Sequence, residues 1–163
     1  MQCRFRDELR PDAAATIAQL KDAGIAVELL SGDRTPVVED IARAVGIGTW
    51  RAHCRPADKT ARLAELAAQG HKVLMVGDGL NDAPALAAAH VSISPATAAD
   101  VSQASADIVF QGERLNAVVE AWTVAKKARR LILQNFAFTA LYNGIAVPFA
   151  VIGLVTPLIA AIA

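Results

Sequence analysis

Cysteine is nearly absent from this 163-residue chain: Cys3 and Cys54 are the only two. Their wide separation offers neither a disulfide framework nor a short-spaced thiolate metal pair. Aromatics make up 5% of the residues, with one tyrosine, Tyr142. Charge of either sign is not in excess, since 16 basic residues face 16 acidic ones, and this balance argues against a nucleic-acid partner. Residues 1–12 are polar and charged, so no apolar secretory leader is expected there. The largest deficit is local. From Leu131 to Ala163, 33 residues pass without Lys, Arg, Asp, Glu or His, although 20% of the whole chain is charged. The histidines His53, His71 and His90 read as structural or surface groups, and His53 and Cys54, as neighbours on a strand, are expected to point to opposite faces.

What the chain does contain is a run with chemistry in it: Val73-Leu74-Met75-Val76-Gly77-Asp78-Gly79-Leu80-Asn81-Asp82-Ala83-Pro84. β-Branched Val73 and Val76 favour a buried strand, and Gly77 and Gly79 let the backbone turn at its carboxyl end. Ligands bind at that end of open α/β sheets. Asp78 and Asp82, four positions apart, suit one hard cation, because Mg²⁺ is held by one or two carboxylates with waters and a phosphate. The plainer alternative is that the two aspartates only cap a turn and a helix.

Two upstream elements favour the chemical reading. The strand-like run Ile25 to Leu30 empties into Ser31-Gly32-Asp33-Arg34-Thr35-Pro36, which makes the Ser31 hydroxyl a candidate phosphate donor. Arg55-Pro56-Ala57-Asp58-Lys59 sets Lys59 at a helix start, where an ammonium and the positive end of the helix dipole both attract phosphate. Gly32, Asp33, Gly77, Gly79 and Asn81 are the expected organisers of the two loops.

The periodicity predicts helices over about 11–23, 36–45, 58–69, 82–88 and 98–104. It predicts strands over about 25–30, 50–53, 72–76, 91–93 and 107–110, followed by a long helix. Such alternation implies an α/β fold, Rossmann-like, with a parallel sheet and helices on both faces. A boundary near Gly112 separates residues 1–112 from a stalk and membrane segment over 113–163. Within that segment, about 131–155 is long enough for one transmembrane span and 156–163 for the start of a second. Lys126, Lys127, Arg129 and Arg130 flank the apolar stretch, so residues 1–130 are expected on the cytoplasmic side, with the lipid bilayer as a partner.

Hydroxyl, lysine and paired aspartates in this order carry a family resemblance. The chain resembles the second half of the phosphorylation domain of P-type ATPases, members of the haloacid dehalogenase superfamily, and within them the heavy-metal-transporting branch. The matching residues are Asp7-Glu8-Leu9-Arg10-Pro11-Asp12-Ala13, Ser31-Gly32-Asp33, Pro56-Ala57-Asp58-Lys59, Gly77 through Leu86, and Gln134-Asn135 leading to Tyr142-Asn143. Ser-Gly-Asp departs mildly from the family's Thr-Gly-Asp and keeps the hydroxyl. The resemblance implies ATP and Mg²⁺ as cofactors, Asp78 as a direct Mg²⁺ ligand supported by Asp82, and Lys59 and Ser31 on the phosphoryl oxygens. It also implies a location in the bacterial inner membrane, and Cu⁺ as cargo with Tyr142 and Asn143 near it, although Cu(I) prefers sulfur ligands that this pair lacks.

The family's nucleophile, the aspartate of an Asp-Lys-Thr-Gly-Thr motif, does not occur in the sequence. Asp7, Glu8 and Asp12 follow no long apolar strand and are poor replacements. The chain therefore reads as a fragment that works with the remaining domains of a transporter and is inactive alone. The alternatives are a phosphatase of the same superfamily, which needs its own nucleophilic Asp, and a catalytically silent module.

Overall fold

The computed structural model describes residues 9–78, 80–98, 100–112 and 114–152. Gly79 of the glycine hinge, Cys3, Asp7 and Glu8, and the expected start of a second span all lie outside the described residues. The chain forms two compact units, one ending at Glu120 and one beginning at Ala121.

The first unit alternates helix and strand. α1 (Ala13–Asp22) buries Ala13, Ile17 and Leu20, and α2 (Thr35–Val45) buries Val38, Ala42 and Val45. Both sets fall on the i, i+4, i+7 spacing that puts side chains on one helix face. α2 ends where Gly46 takes φ 75°, the left-handed conformation that glycine adopts without steric cost. Ile47, Leu29 and Trp50 complete this part of the core. α3 (Pro56–Ala68) starts with Pro56 in its first turn, and the Asp58 carboxylate accepts the Arg55 N–H at 2.9 Å.

The strands are short: β1 (Glu28–Leu30), β2 (Thr49–Arg51), β3 (Leu74–Val76), β4 (Val91–Pro95) and β5 (Ile108–Phe110). All pairings are parallel, in keeping with the expected α/β class. The single sheet is not found among the described residues. β1 pairs with β2 in one sheet, and β3, β4 and β5 form a second in that order. A 3₁₀ turn over Leu80–Asp82, α4 (Ala83–Ala88) and α5 (Asp100–Ser105) fill the connections of the second sheet. β2 ends at Arg51, so His53 and Cys54 do not share a strand as expected. They sit in a turn, with His53 at φ 55°.

α6 (Ala117–Val151) is 35 residues long and carries Pro148. The membrane span expected over 131–155 runs past the described residues, and among the described residues no helix is long and apolar enough to cross a membrane. Length is not the shortfall. Gln134, Asn135, Thr139, Tyr142 and Asn143 dilute the apolar run between the larger side chains. Those larger side chains, including Leu131, Phe136, Phe138 and Leu141, are exposed along the helix.

Candidate functional site

The two predicted loops lie at the carboxyl ends of β1 and β3, the end at which a parallel sheet presents its ligands. After β1, the Ser31 hydroxyl donates to Asp33 Oδ2 at 2.8 Å, and the Asp33 N–H returns a bond to Ser31 Oγ at 3.2 Å. Asp33 thus orients the hydroxyl. The turn after β2 clamps this loop from the side. His53 N–H donates to the Asp33 carbonyl and Cys54 N–H to the Ser31 carbonyl, both at 2.9 Å. The left-handed His53 backbone is what aims its N–H at Asp33, a conformation uncommon outside glycine. Gly32 passes this turn closely, since a Cβ there would lie 3.4 Å from the Cys54 carbonyl oxygen.

At the end of β3, Gly77 is required by proximity. A Cβ at Gly77 would lie 2.8 Å from Asp82 Cβ, inside van der Waals contact. The missing side chain lets the 3₁₀ turn fold back against the strand and brings Asp82 beside Asp78. Arg10, Gly77, Asp78 and Asp82 line one open cavity of about 180 Å³. Within it Asp78 keeps a 69% exposed side chain, 4.0 Å from the Arg10 guanidinium. Asp82 is already engaged: Lys59 Nζ donates to its Oδ1 at 2.5 Å, with both side chains largely buried. Asn81 is exposed in the 3₁₀ turn.

α3 ties the two sheets together. Its Arg62 makes a forked contact with Glu28 of β1 at 2.9 and 3.1 Å and a third bond to Glu65 at 2.7 Å. These carboxylates raise the affinity of the Arg62 guanidinium for its proton, and Arg62 in turn holds the Glu65 carboxyl below its ordinary range. Three residues earlier, Lys59 reaches the Asp82 loop of the other sheet. One helical turn therefore anchors β1 and the β3 loop.

Of the residues expected from sequence, Lys59 meets Asp82, Asp82 lies with Asp78 and Gly77, and Ser31 meets Asp33. No described hydrogen bond or ion pair joins Ser31 to Lys59, Asp78 or Asp82. Tyr142 and Asn143 belong to the second unit and lie exposed on α6. Sequence reasoning passed over Arg10 and the Arg62–Glu28 pair, whose partners are 68 and 34 positions away and leave no local signal.

The donor set fits a magnesium ion better than a softer metal. Among the described residues no group of three or more His, Cys, Asp or Glu side chains could hold a metal ion, so no closed protein cage exists. Two adjacent carboxylates beside an open cavity match a cation that keeps most of its waters and takes its remaining ligands from a phosphate. Asp78 is the exposed carboxylate of the pair, and Asp82 is the one bound to Lys59.

Comparison with known proteins gives the same reading a family context. The family described as haloacid dehalogenase-like hydrolase matches residues 2–90. The nitrogen fixation protein FixI of Bradyrhizobium diazoefficiens is 56% identical over 158 residues, covering 97% of this chain and 22% of that protein. A probable copper-transporting ATPase, SynA of Synechococcus, is 40% identical over 148 residues, 90% of this chain and 19% of its own length. Among solved structures, a zinc-transporting PIB-type ATPase in its E2.Pi state superposes with a TM-score of 0.87 at 31% identity, covering 92% of this chain and 24% of that one. The chain spans about a fifth of the length of these curated relatives.

Proposed function

Because the chain belongs to the haloacid dehalogenase-like hydrolase family, and its relatives include copper and heavy-metal P-type ATPases, we propose that it is the phosphoryl-stabilising half of an ATP-driven heavy-metal transporter. The observation that carries this reading is the Lys59–Asp82–Asp78 cluster at the carboxyl end of β3, bound through one turn of α3 to the strand that leads into Ser31. In this reading β1 and β3 each present an unpaired edge, and a strand from outside the described residues, carrying the nucleophilic aspartate, pairs there. The division into two sheets supports this, as does the short share of its relatives that the chain spans.

Each side chain has a role. Lys59 neutralises phosphoryl oxygen charge while its bond to Asp82 fixes where the ammonium sits. The Ser31 hydroxyl, oriented by Asp33, donates to a second oxygen. Asp78, together with Asp82, would hold Mg²⁺, which when bound supplies hard positive charge to the phosphate of ATP. Arg10, at the rim of the same cavity, holds Asp78 in place until the cation arrives. The transferred group goes to an aspartate outside this sequence, so the chain by itself turns over no ATP.

The cargo is a heavy-metal cation, Cu⁺ in the reading that Tyr142 and Asn143 support, with sulfur ligands supplied by the rest of the transporter. That whole protein resides in a membrane, with the first unit on the cytoplasmic side. In this reading the exposed apolar side chains of α6 are covered there by the lipid bilayer and by the transporter's other segments.

The test is made in a full-length transporter carrying this segment. Asp78→Asn is expected to abolish labelling by γ-phosphate-labelled ATP, while Tyr142→Phe and Asn143→Ala lower copper-stimulated turnover and spare the labelling. Wild-type phosphoenzyme in Asp78→Asn overturns the phosphoryl reading. Unchanged copper activation in both α6 variants overturns only the cargo.

A further inference from the structure

A second cavity, of about 250 Å³, opens among α3, α4 and the segments that enter β3 and β4, and both His71 and His90 line it. His71 stands three residues before Leu74 of β3, and His90 immediately precedes Val91 of β4, paired with Leu74. The site is therefore at the amino ends of these strands, opposite to Asp78. Two backbone bonds hold the segments side by side: His90 N–H and Val91 N–H both donate to the Val73 carbonyl, at 3.1 and 3.2 Å. His71 lies two residues before Val73, so these backbone bonds bring both histidines to the same cavity. Small side chains, Ala67, Ala88 and Ala89, leave the space open. Both histidines are exposed where they line this cavity, and neither imidazole has a described hydrogen-bond or ion-pair partner that would compete with a ligand.

We propose that His71 and His90 form a binding site for a divalent transition-metal cation of the Zn²⁺, Ni²⁺ or Cu²⁺ type. Imidazole nitrogen selects such ions over Mg²⁺, which prefers oxygen, so this site and the carboxylate site at the other end of the strands take different metals. Two protein nitrogens leave the remaining coordination positions to water, which makes the site exchangeable instead of structural. The small alanines beside the imidazoles give those waters room. The inference does not depend on the transporter reading, because it uses none of the residues placed at the phosphoryl site.

The full chain in detergent, titrated calorimetrically with Zn²⁺ and with Ni²⁺, provides the test. One equivalent is expected to bind. His71→Ala or His90→Ala each weakens the affinity by about tenfold or more, and the double variant removes binding. His53→Ala, Cys54→Ser and Asp78→Asn leave it unchanged, as does a large excess of Mg²⁺. Both histidines are exposed, and a thermal melt of each variant checks that it remains folded. Cu²⁺ added to the His53→Ala protein gives a readout that alters neither proposed ligand: electron paramagnetic resonance should show two equatorial imidazole nitrogens. Full binding in the double variant, loss of binding in His53→Ala or Cys54→Ser, or a Cu²⁺ spectrum with one nitrogen or none overturns the proposal.

Discussion

β3 and β4 are neighbours in one parallel sheet, and their burial runs against their composition. β3 is Leu-Met-Val, yet Leu74 and Val76 are 36% and 38% exposed, whereas β4 carries Ser92 and Ser94 and is buried along its length after Val91. The difference is position. Among the described residues β4 has a strand on each edge, while β3 has one only on the side of β4. Burial of Ser92 is made tolerable by Asp107, whose carboxylate accepts both the Ser92 N–H and its hydroxyl at 2.8 Å. Hydrophobicity thus marks β3 as a strand meant for a covered place, and the exposed side chains mark where the cover is absent.

The strongest challenge to this contrast is Gly77→Ala at the end of the edge strand. Its Cβ would strike Asp82, so in a full-length transporter we expect phosphoenzyme formation to fall by two orders of magnitude or more, roughly the loss of one major charge-stabilising contact. Normal labelling in that variant would show that the Asp82 loop needs no close approach to β3.

Next in size is a matched pair of truncations read by urea unfolding of the chain. Ile93→Ala in β4, where the side chain is 2% exposed, should cost about 3 kcal/mol. Val76→Ala at the edge should cost less than about 1 kcal/mol. Equal costs would erase the distinction between the two strands. Lys59→Ala falls between them, at about 2 kcal/mol, because it leaves the largely buried Asp82 carboxylate unpaired in a site that water still reaches. Adding Asp82→Leu to it should recover most of that loss.

The smallest effect concerns pH. Hydrogen bonds from Ser92, first from its hydroxyl and then from its N–H, hold the Asp107 carboxyl below its ordinary value of 3.8. A depressed folded-state value stabilises the protein above about pH 3.8, and the contribution disappears as pH falls through the lowered value. Asp12, whose carboxylate accepts the Asn116 N–H at 2.9 Å before α6, acts with the same sign. Unfolding curves between pH 3 and pH 7 should therefore show a weaker acid dependence in Asp107→Asn than in the wild type. Parallel curves would mean that the Ser92–Asp107 contact does not discriminate between charge states.

The legible parts of this protein were those whose signal is local. Gly77-Asp78 after an apolar run, Ser31 at a strand end and Pro56 before Lys59 each announce a strand end or a helix start within a few residues, and all three stand where the sequence placed them. The apolar stretch after Leu131 was legible as apolar, and Gln134, Asn135 and Asn143 lower its hydropathy within the described residues, where no helix is apolar enough to cross a membrane. His53 misled for a related reason. Strand propensity near Trp50 carries no warning of a left-handed turn, whose N–H groups bond the Ser31 loop, a contact between segments distant in the chain.

By itself, then, the sequence determined the α/β alternation, the strand-end loops and the residue types able to meet a phosphate and a hard cation. These depend on backbone preferences and on side-chain chemistry carried within short windows. Only the tertiary structure decided that Lys59 would hold Asp82, that Arg62 would lock α3 to β1, that Arg10 would stand at the rim of the Asp78 cavity, and that His71 and His90 would share a cavity at the opposite end of the strands. Each of those pairings joins residues far apart in the chain. Their energies come from close approach and exclusion of water, which no linear pattern encodes.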